Sequence, residues 1–395
     1  MSADPRPTVL VLTEFYLPAY RVGGPVRSLA NLVERLGDRI RFRIVATPFD
    51  LGGTEPLPGI VPDAWQARGR AEVTYLSDPS SPGRGLAALL AREAYDVLYL
   101  NSLFSPAFSL RPLLLRRLGR LPRRPVVMAP RGQLYPGALA QKRAKKRAFL
   151  ALARLGGLYS GLRWQATTDE EAEQVRRWFG RGADVVRAGN LGPPAGAATA
   201  AGSGRTAKRP GELRIAFLSR VSPIKNLDGA LAMVAGVRGS VVLDVWGPHE
   251  DAAFLARCRA LAGGLPGNVR VEFRGPVEHA AVGPLLAGYH LFLLPTLSEN
   301  FGHAIADALA AGCPVLVSDR TPWRGLAERE AGWDVPLERP AEFTRIMQEC
   351  VEMDQETWSR WSAGALRLAA GAAAGRVDEE RTLRLFLDTA AGARA

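Results

Sequence analysis

One stretch decides the fold of this chain: S-E-N-F-G-H-A-I-A-D-A-L-A-A-G, residues Ser298–Gly312. It follows the apolar run His290–Pro295, which has the length and residue types of a buried parallel strand. Gly302 predicts a turn, and the small and apolar residues after it predict a helix that Gly312 and Pro314 end. A strand, a loop and a helix in this order aim free backbone N–H groups at the space above a sheet, which favours an anion.

The two carboxylates of the stretch, Glu299 and Asp307, have two interpretations. As ligand groups, they would accept hydrogen bonds from the hydroxyls of a sugar. As structural groups, Glu299 would complement the helix dipole while Ser298 or Asn300 caps the helix. The stretch alone leaves both interpretations open.

The length and the composition of the chain are those of a globular protein of two domains. The chain has 395 residues, of which 47% are hydrophobic and 23% charged, and it shows no apolar run long enough to span a membrane. Its N-terminus lacks the pattern of a secretory signal. The three cysteines, Cys258, Cys313 and Cys350, are widely spaced, which indicates reduced thiols that pack in the core of a cytosolic protein.

The net charge of +12 indicates an anionic partner. We expect no nucleic acid, because none of the recognised nucleic-acid modules is present. Phosphorylated small molecules and an anionic membrane surface fit better.

Strands and helices alternate through the first half. Strands are predicted at Thr8–Leu12, Phe42–Ala46, Val97–Asn101, Pro125–Ala129 and Trp164–Thr168, with helices after Gly23–Gly24, at Gly85–Glu93 and from Asp169. The glycines do not spell G-x-G-x-x-G, so a dinucleotide site is not indicated. Gly23 and Gly24 let a ligand or another domain approach the backbone, unless they form a plain loop. Arg131 follows the end of a strand, where open α/β sheets place ligands.

A second series of the same kind follows a stretch rich in Gly, Ala and Pro. Its predicted strands are Leu213–Leu218, Val241–Trp246, Val269–Phe273, His290–Leu294, Pro314–Ser318 and Gly332–Pro336. We therefore predict an α/β protein of two doubly wound, Rossmann-like domains, residues 1–188 and 213–375. Residues 189–212 form the predicted linker, and residues 376–395 form a helix that packs back on the first domain.

Two stretches of the first half are basic and amphipathic. They are Leu110–Pro125, with six arginines among leucines, and Gln141–Leu155, which begins with Lys142 and four further cations. Such a run is either a solvated face or a surface that docks on anionic lipid head groups.

Two cations follow the first strand of the second series. Arg220 and Lys225 lie on the connection to the next helix, near the C-terminal edge of the predicted sheet. Facing a helix start near Phe301, they would supply charge-assisted hydrogen bonds to a diphosphate. Cations for phosphates with carboxylates for hydroxyls describe a nucleotide sugar.

At these residues the chain resembles the retaining glycosyltransferases of family 4, which have the two-domain architecture called GT-B. The resemblance covers nearly the whole chain. It rests on V-G-G-P-V-R-S-L-A-N-L (22–32), P-R-G-Q-L-Y-P-G-A-L (130–139), S-R-V-S-P-I-K-N (219–226), F-R-G-P-V (273–277), and L-P-T-L-S-E-N-F-G-H-A-I-A-D-A-L-A-A-G-C-P-V-L-V-S-D (294–319). It implies two Rossmann-like domains that face each other across a cleft, the first binding the acceptor and the second the nucleotide sugar.

The resemblance also implies roles for individual residues. Arg220 and Lys225 would hold the donor diphosphate, and Glu299 would contact the donor sugar. Asp307 would hold the ribose hydroxyls. The remaining donor contacts would come from Asn300, Phe301, Gly302 and His303, from Arg274, Gly275 and Pro276 beside the base, and from Gly23 and Gly24. No metal or other cofactor is implied.

The chain departs from the family in two places. The second carboxylate of the family's motif is a glutamate, and here it is Asp307, which is one methylene shorter. Many members have a histidine near residue 130, whereas this chain has histidines only at 249, 279, 290 and 303. Arg131 occupies the corresponding region and is assigned to acceptor or donor contact.

The expected function is transfer of a hexose, with retained anomeric configuration, from a nucleotide diphosphate sugar to a hydroxyl. The expected acceptor is a glycan or a lipid-linked intermediate of bacterial polysaccharide or lipopolysaccharide assembly. The expected location is the cytoplasm, with a peripheral position on the inner face of the membrane. Two alternatives stay open: a nucleotide-sugar epimerase of the same architecture, and a non-catalytic nucleotide-sugar-binding relative.

Overall fold

A computed structural model describes residues 6–81, 85–140, 143–193, 206–249, 251–374 and 376–392. The chain divides into two compact units. The first comprises Met1–Leu191 and Gly375–Ala395, and the second comprises Gly192–Ala374. The second unit is therefore inserted between two parts of the first.

The first unit contains an eight-stranded sheet in the order β3-β4-β2-β1-β5-β6-β7-β8. All neighbouring strands are parallel except β3 and β4. The strands are β1 (Thr8–Leu12), β2 (Arg41–Ala46), β3 (Trp65–Arg68), β4 (Ala71–Tyr75), β5 (Val97–Leu100), β6 (Val126–Met128), β7 (Arg163–Ala166) and β8 (Asp184–Arg187).

Helices cover the sheet of the first unit. They are α1 (Gly24–Leu36), α2 (Leu86–Arg92), α3 (Arg111–Arg117), α4 (Pro136–Ala140), α5 (Arg143–Leu155), α6 (Asp169–Phe179) and α13 (Val377–Ala391). A π-helical turn, Pro106–Leu110, leads into α3. The central strands β1 and β5 are almost continuously apolar because a core cluster packs on each face of the sheet. In β1, Val9 and Val11 belong to one cluster and Leu10 and Leu12 to the other.

The last helix, α13, completes one of these cores. Phe386 is fully buried, with its ring 5.0 Å from that of Tyr99 and 6.2 Å from that of Phe42. At the start of the helix, Asp378 accepts a hydrogen bond from the backbone N–H of Gly189 at 3.0 Å. The final helix therefore belongs to the first unit although it follows the second in sequence.

The second unit contains a six-stranded sheet, parallel throughout, in the order β11-β10-β9-β12-β13-β14. This is the strand order of a dinucleotide-type doubly wound fold. The strands are β9 (Glu212–Leu218), β10 (Ser240–Trp246), β11 (Val269–Gly275), β12 (Leu291–Leu294), β13 (Val315–Ser318) and β14 (Gly332–Val335). Together the two sheets confirm the predicted α/β class.

The helices of the second unit flank this sheet. They are α7 (Leu227–Val234), α8 (Ala252–Gly263), α9 (His279–Leu286), α10 (His303–Ala310), α11 (Pro340–Glu352) and α12 (Gln355–Ala374). All three cysteines are free and buried in the core of this unit. No described helix has the length and apolarity that a membrane crossing requires.

The predicted linker, residues 189–212, is divided by the structure. Residues 189–191 belong to the first unit, while Glu212 begins β9, and residues 194–205 lie outside the described part of the chain. Lys208 is buried in the second unit, where its Nζ donates to the carbonyls of Val351 and Met353 at 3.1 and 2.9 Å. The segment after residue 205 is therefore packed against α11 and the turn that follows it.

Candidate functional site

The site of the second unit lies where the strand order of its sheet reverses. Strands β9 and β12 are neighbours there, and the connections that follow them lead to helices on opposite sides of the sheet. In open α/β sheets such a switch point leaves a crevice at the carboxyl ends of the strands, and ligands bind in it. The connection after β9 carries Arg220 and Lys225, and the connection after β12 carries Glu299.

Three hydrogen bonds to backbone carbonyls join these two connections, one from a backbone N–H and two from side chains. The N–H of Leu297 donates to the carbonyl of Ile224 at 2.8 Å, and the hydroxyl of Thr296 donates to the same carbonyl at 2.9 Å. Asn226, in a left-handed conformation with φ 57°, donates from Nδ2 to the carbonyl of Pro295 at 2.9 Å. The two loops therefore form one rigid framework for their charged side chains.

Lys225 and Glu299 form an ion pair across this framework. The Nζ of Lys225 lies 2.6 Å from Oε2 of Glu299, and the side chains are 12% and 18% exposed. The other oxygen of Glu299 accepts the backbone N–H of Asn300 at 3.0 Å. Both groups are thus held in place and still reach the surface of the crevice.

Burial and charge act in opposite directions on Glu299. Burial on its own raises the pKa of this carboxyl, but the ammonium of Lys225, the N–H of Asn300 and the guanidinium of Arg220 outweigh it, and the pKa lies below its ordinary value. Glu299 therefore carries its negative charge at neutral pH. The charge of Arg220 thus acts on the same carboxylate as the charge of Lys225.

The helix start that faces these groups needs a glycine. Gly302 has φ 80° and precedes α10 as its N-cap, so neither Ser298 nor Asn300 holds that position. A Cβ at Gly302 would lie 2.8 Å from Cδ1 of Ile305 and 3.1 Å from Nε1 of Trp323. With no side chain capping it, the first turn of α10 presents its N–H groups and the positive end of its dipole.

Aromatic side chains fix the loop just before α10. The Nε1 of Trp323 donates to the carbonyl of Phe301 at 2.8 Å, and the ring of Phe301 lies 4.5 Å from that of His303. The sequence did not single out Trp323, because this residue follows β13 and is separated in sequence from the loop that it supports by one helix and one strand. Asp307, half-buried, lies one turn further along α10 than His303.

Arg274 is engaged by acidic side chains that the sequence did not indicate. Its Nε donates to Oδ1 of Asp244 at 2.8 Å, and its Nη2 lies 2.6 Å from Glu272. Asp244 is almost fully buried and also accepts the hydroxyl of Tyr289 at 2.9 Å. Gly275 ends β11 with φ 80° just beyond, followed by the exposed Pro276. Arg274 is thus a fixed side chain two strands away from β9.

The predicted residues of the first unit lie at the carboxyl ends of its strands. Gly23 has φ 73° and precedes α1, which begins at Gly24, and a Cβ at Gly23 would meet no described atom within 4 Å. The backbone of Gly23 therefore faces open space within this unit.

Arg131, which follows β6, donates hydrogen bonds to residues at the ends of two other strands, β5 and β8. Its Nη2 donates to the hydroxyl of Tyr99 and to Oδ1 of Asn101, each at 2.8 Å, and its Nη1 donates to Oδ1 of Asn190. Arg131 has φ 55° and Gly132 has φ 77°, so two successive residues are left-handed. Asn101 and Asn190 were missed by sequence reasoning. The position of Asn101 at the end of a predicted strand was an available signal, whereas the strand before Asn190, β8, was itself not predicted.

A buried carboxylate holds this left-handed turn. Glu171, fully buried, accepts the N–H of Gly132 at 2.5 Å, and its other oxygen accepts the N–H and the hydroxyl of Thr167 at 2.7 and 2.6 Å. The sequence indicated Glu171 only as part of a helix start. Because buried carboxylates need such partners, Glu171 positions the Arg131 turn.

Among the four histidines, His290 has a structural role. Its Nδ1 accepts the backbone N–H of Arg214 at 3.1 Å, and burial together with the charge of Lys208 lowers its pKa to about 4. Within the described residues, no three His, Cys, Asp or Glu side chains form a group that could hold a metal ion.

The two doubly wound sheets and the strand-end site of the second unit define a GT-B architecture. Residues 212–353 match the sequence model of the family described as glycosyl transferases group 1. The sequence similarity to this family thus lies within the second unit.

Curated relatives of similar sequence are also described as glycosyltransferases. The chain is 31% identical over 173 residues to a D-inositol 3-phosphate glycosyltransferase of Nocardia farcinica, an alignment that covers 40% of this chain and 37% of that protein. A protein of the same description from Mycobacterium bovis is 30% identical over 166 residues, covering 38% and 32%. The chain thus spans about a third of the length of the curated relatives that it matches.

The solved structures resemble nearly the whole chain in fold. HepE of Anabaena in complex with UDP-glucose has a TM-score of 0.66 at 17% identity and covers 98% of this chain and 100% of its own. Sucrose-phosphate synthase of Thermosynechococcus elongatus has a TM-score of 0.70 at 15% identity, covering 98% and 100%. WaaG, a glycosyltransferase involved in lipopolysaccharide biosynthesis, has a TM-score of 0.64 at 13% identity, covering 96% and 99%.

Proposed function

We propose that the chain is a retaining glycosyltransferase that moves a hexose from a nucleotide diphosphate sugar to a hydroxyl group. The observation that carries the proposal is the Lys225–Glu299 pair, 2.6 Å apart at the switch point of the second sheet, on which the charge of Arg220 also acts. The family match over residues 212–353 supports the same reaction class.

The reaction breaks the bond between the anomeric carbon and the diphosphate oxygen, and the diphosphate leaves with the electron pair. The acceptor oxygen attacks from the same face, and its proton passes to the departing phosphate. Arg220, Lys225 and the start of α10 stabilise the negative charge that develops on the leaving group. These groups supply the positive charge that the reaction needs, so the proposal includes no metal or other cofactor.

The remaining predicted residues take the following roles in this proposal. Glu299 accepts hydrogen bonds from the donor sugar, and Asp307 accepts those of the ribose. The backbone of Asn300, Phe301, Gly302 and His303 contacts sugar and phosphate, while Arg274, Gly275 and Pro276 flank the base. Arg131, with Gly23 and Gly24, contacts the acceptor or the donor from the first unit.

The proposed acceptor is a glycan or a lipid-linked intermediate in bacterial polysaccharide or lipopolysaccharide assembly. The fold shared with WaaG and the basic stretches of the first unit support this choice. We place the enzyme in the cytoplasm, peripherally on the inner face of the membrane.

The test is a panel of nucleotide diphosphate sugars, beginning with UDP-glucose, in which release of nucleoside diphosphate is measured. We expect slow hydrolysis of one donor without acceptor and faster release with the correct acceptor. Lys225→Ala should reduce turnover by on the order of 10²-fold or more, because the leaving diphosphate loses a fixed cation. Near-normal turnover in this variant would remove the central assignment.

Two controls separate chemistry from folding. Arg345→Ala removes an exposed cation that pairs with Glu349 on α11, and it should leave turnover unchanged. Because Lys225→Ala leaves Glu299 without its counter-charge, Lys225→Ala/Glu299→Gln should recover any lost melting temperature but not turnover. Interconversion of nucleotide sugars with little release would indicate the epimerase, and binding without turnover would indicate the non-catalytic relative.

A further inference from the structure

Exposed apolar side chains gather on two helices of the first unit. Among the described residues, nine large hydrophobic side chains are exposed, and four of them lie on or just after α3 and α5. Leu114 and Leu118 are 51% and 58% exposed, while Leu152 and Leu155 are 68% and 85% exposed. Such a concentration on one part of a surface indicates an interaction site.

On α5 these leucines belong to an outward-facing apolar stripe. Ala151, Leu152 and Leu155 lie three, four and seven residues after Ala148. All four residues are exposed, and we call them the α5 stripe. Leu150 and Ala153, on the other side of the helix, are buried in the core. The helix therefore has two apolar faces, and the core accounts for only one of them.

Cations flank the α5 stripe on both sides. Lys145 is exposed on one side, and Arg147 and Arg154 are exposed on the other. Arg147 also lines a cavity of about 350 Å³ together with Arg177 and four apolar residues, Leu134, Pro136, Leu139 and Trp178. An apolar stripe with basic residues on both sides is the pattern of a helix that lies in a membrane interface.

The end of α3 adjoins the end of α5. The Nε of Arg117 donates to the carbonyl of Gly156 at 3.4 Å, which brings Leu114 and Leu118 to the same region as Leu155. Residues 97–168, which contain both helices, have fourteen Lys and Arg and no Asp or Glu. The charge of this segment therefore complements an anionic surface and repels a basic one.

We propose that the ends of α3 and α5 form a docking surface for an anionic lipid bilayer. The exposed leucines enter the boundary between head groups and acyl chains, and the flanking arginines and lysines bind head-group phosphates. The inference does not depend on the chemistry of the second unit.

The test measures binding of the full chain to vesicles of phosphatidylcholine alone and of phosphatidylcholine mixed with phosphatidylglycerol, at low and at high salt. We expect binding only to the mixed vesicles. Lys145→Glu/Arg154→Glu should weaken it by about fivefold or more for each cation reversed. Leu152→Ser/Leu155→Ser should weaken it by about tenfold and should also abolish the part that survives high salt, since that part depends on apolar insertion.

Matched controls lie in the second unit. Leu261→Ser changes an exposed leucine of α8, and Arg238→Glu/Arg329→Glu reverses two exposed cations, and both should bind vesicles as the wild type does. Nucleoside diphosphate release from the soluble donor should be unchanged in all variants, so loss of docking is distinguished from loss of activity. Absence of wild-type binding to mixed vesicles at low salt overturns the proposal. The proposal is also overturned if the control variants weaken vesicle binding as much as the variants of α5 do. A change of oligomeric state in the leucine variant, with vesicle binding intact, would instead assign the stripe to contact between two copies.

Discussion

Asp307 is the residue at which this chain departs from the donor motif that the stretch Ser298–Gly312 otherwise resembles. Its carboxylate lies on the second turn of α10, and in the proposed complex it accepts the ribose hydroxyls in both ground state and transition state. Asp307→Ala should therefore raise the KM of the donor by about tenfold or more and leave kcat nearly unchanged.

The companion variant is Asp307→Glu, which keeps the charge and lengthens the side chain by one methylene. Its KM should stay within about threefold of the wild-type value. Steady-state kinetics with the donor identified by the panel provide both numbers. An unchanged KM in Asp307→Ala would show that this carboxylate does not bind the ribose.

At the same scale, the sequence located the Lys225–Glu299 cluster of the second unit better than the Arg131 cluster of the first unit. Lys225 and Glu299 were predicted to share a site because each follows a strand of the same sheet. The partners of Arg131 were not predicted, because Asn101 and Asn190 are single polar residues after strands with no motif around them. Glu171 was hidden for another reason: a buried carboxylate near a helix start looks the same in sequence as an exposed one that complements the dipole.

At the scale of elements, the close approach of two strand ends depends on Gly247. This residue follows β10 with φ 129°, and a Cβ on it would lie 1.9 Å from the carbonyl oxygen of Ser219, just after β9. Gly247→Ala should lower the free energy of unfolding of the second unit by about 2 kcal/mol or more, because the backbone must shift. The substitution should also weaken donor binding, because the displaced Ser219 directly precedes Arg220.

Gly371→Ala is the matched control for this change. Gly371 lies in α12, and a Cβ there would meet no described atom within 4 Å. The substitution should stabilise the second unit by roughly 0.5–1 kcal/mol, as expected for alanine in a helix. Chemical denaturation of the two variants gives both values, and equal effects would contradict the explanation.

The strands were predicted well where they are buried on both faces and poorly at the edges of the first sheet. Predicted and observed bounds of β1 agree, and those of β9 and β10 differ by one residue at their starts. Strands β3, β4 and β8 were missed. They lie toward the two edges of the sheet, where β3 and β8 are partly exposed and lack a continuous apolar run.

At the scale of the whole molecule, α13 stabilises the unit to which it returns. Phe386→Ala removes a fully buried ring from contact with Phe42 and Tyr99 and should destabilise the first unit by about 3–5 kcal/mol. Scanning calorimetry should show one transition at lower temperature and the other unchanged. Arg381→Ala, an exposed change on the same helix, should leave both transitions in place.

Equal shifts of both transitions in Phe386→Ala would contradict the assignment of α13 to the first unit. A second consequence is functional. The hydroxyl of Tyr99 accepts a hydrogen bond from Arg131, so a loosened Tyr99 ring should also disturb the Arg131 cluster.

The insertion of one unit into the other also sets the order in which the protein can fold on the ribosome. The second unit is a continuous segment of roughly 180 residues, and the ribosome must translate all of it before Phe386 emerges. At about 5–20 residues per second this takes on the order of ten to forty seconds. During that interval the N-terminal part of the chain exposes the apolar surface that α13 later covers. The half that is translated first is thus the half completed last. We expect its apolar surface to be open to chaperones until α13 is made.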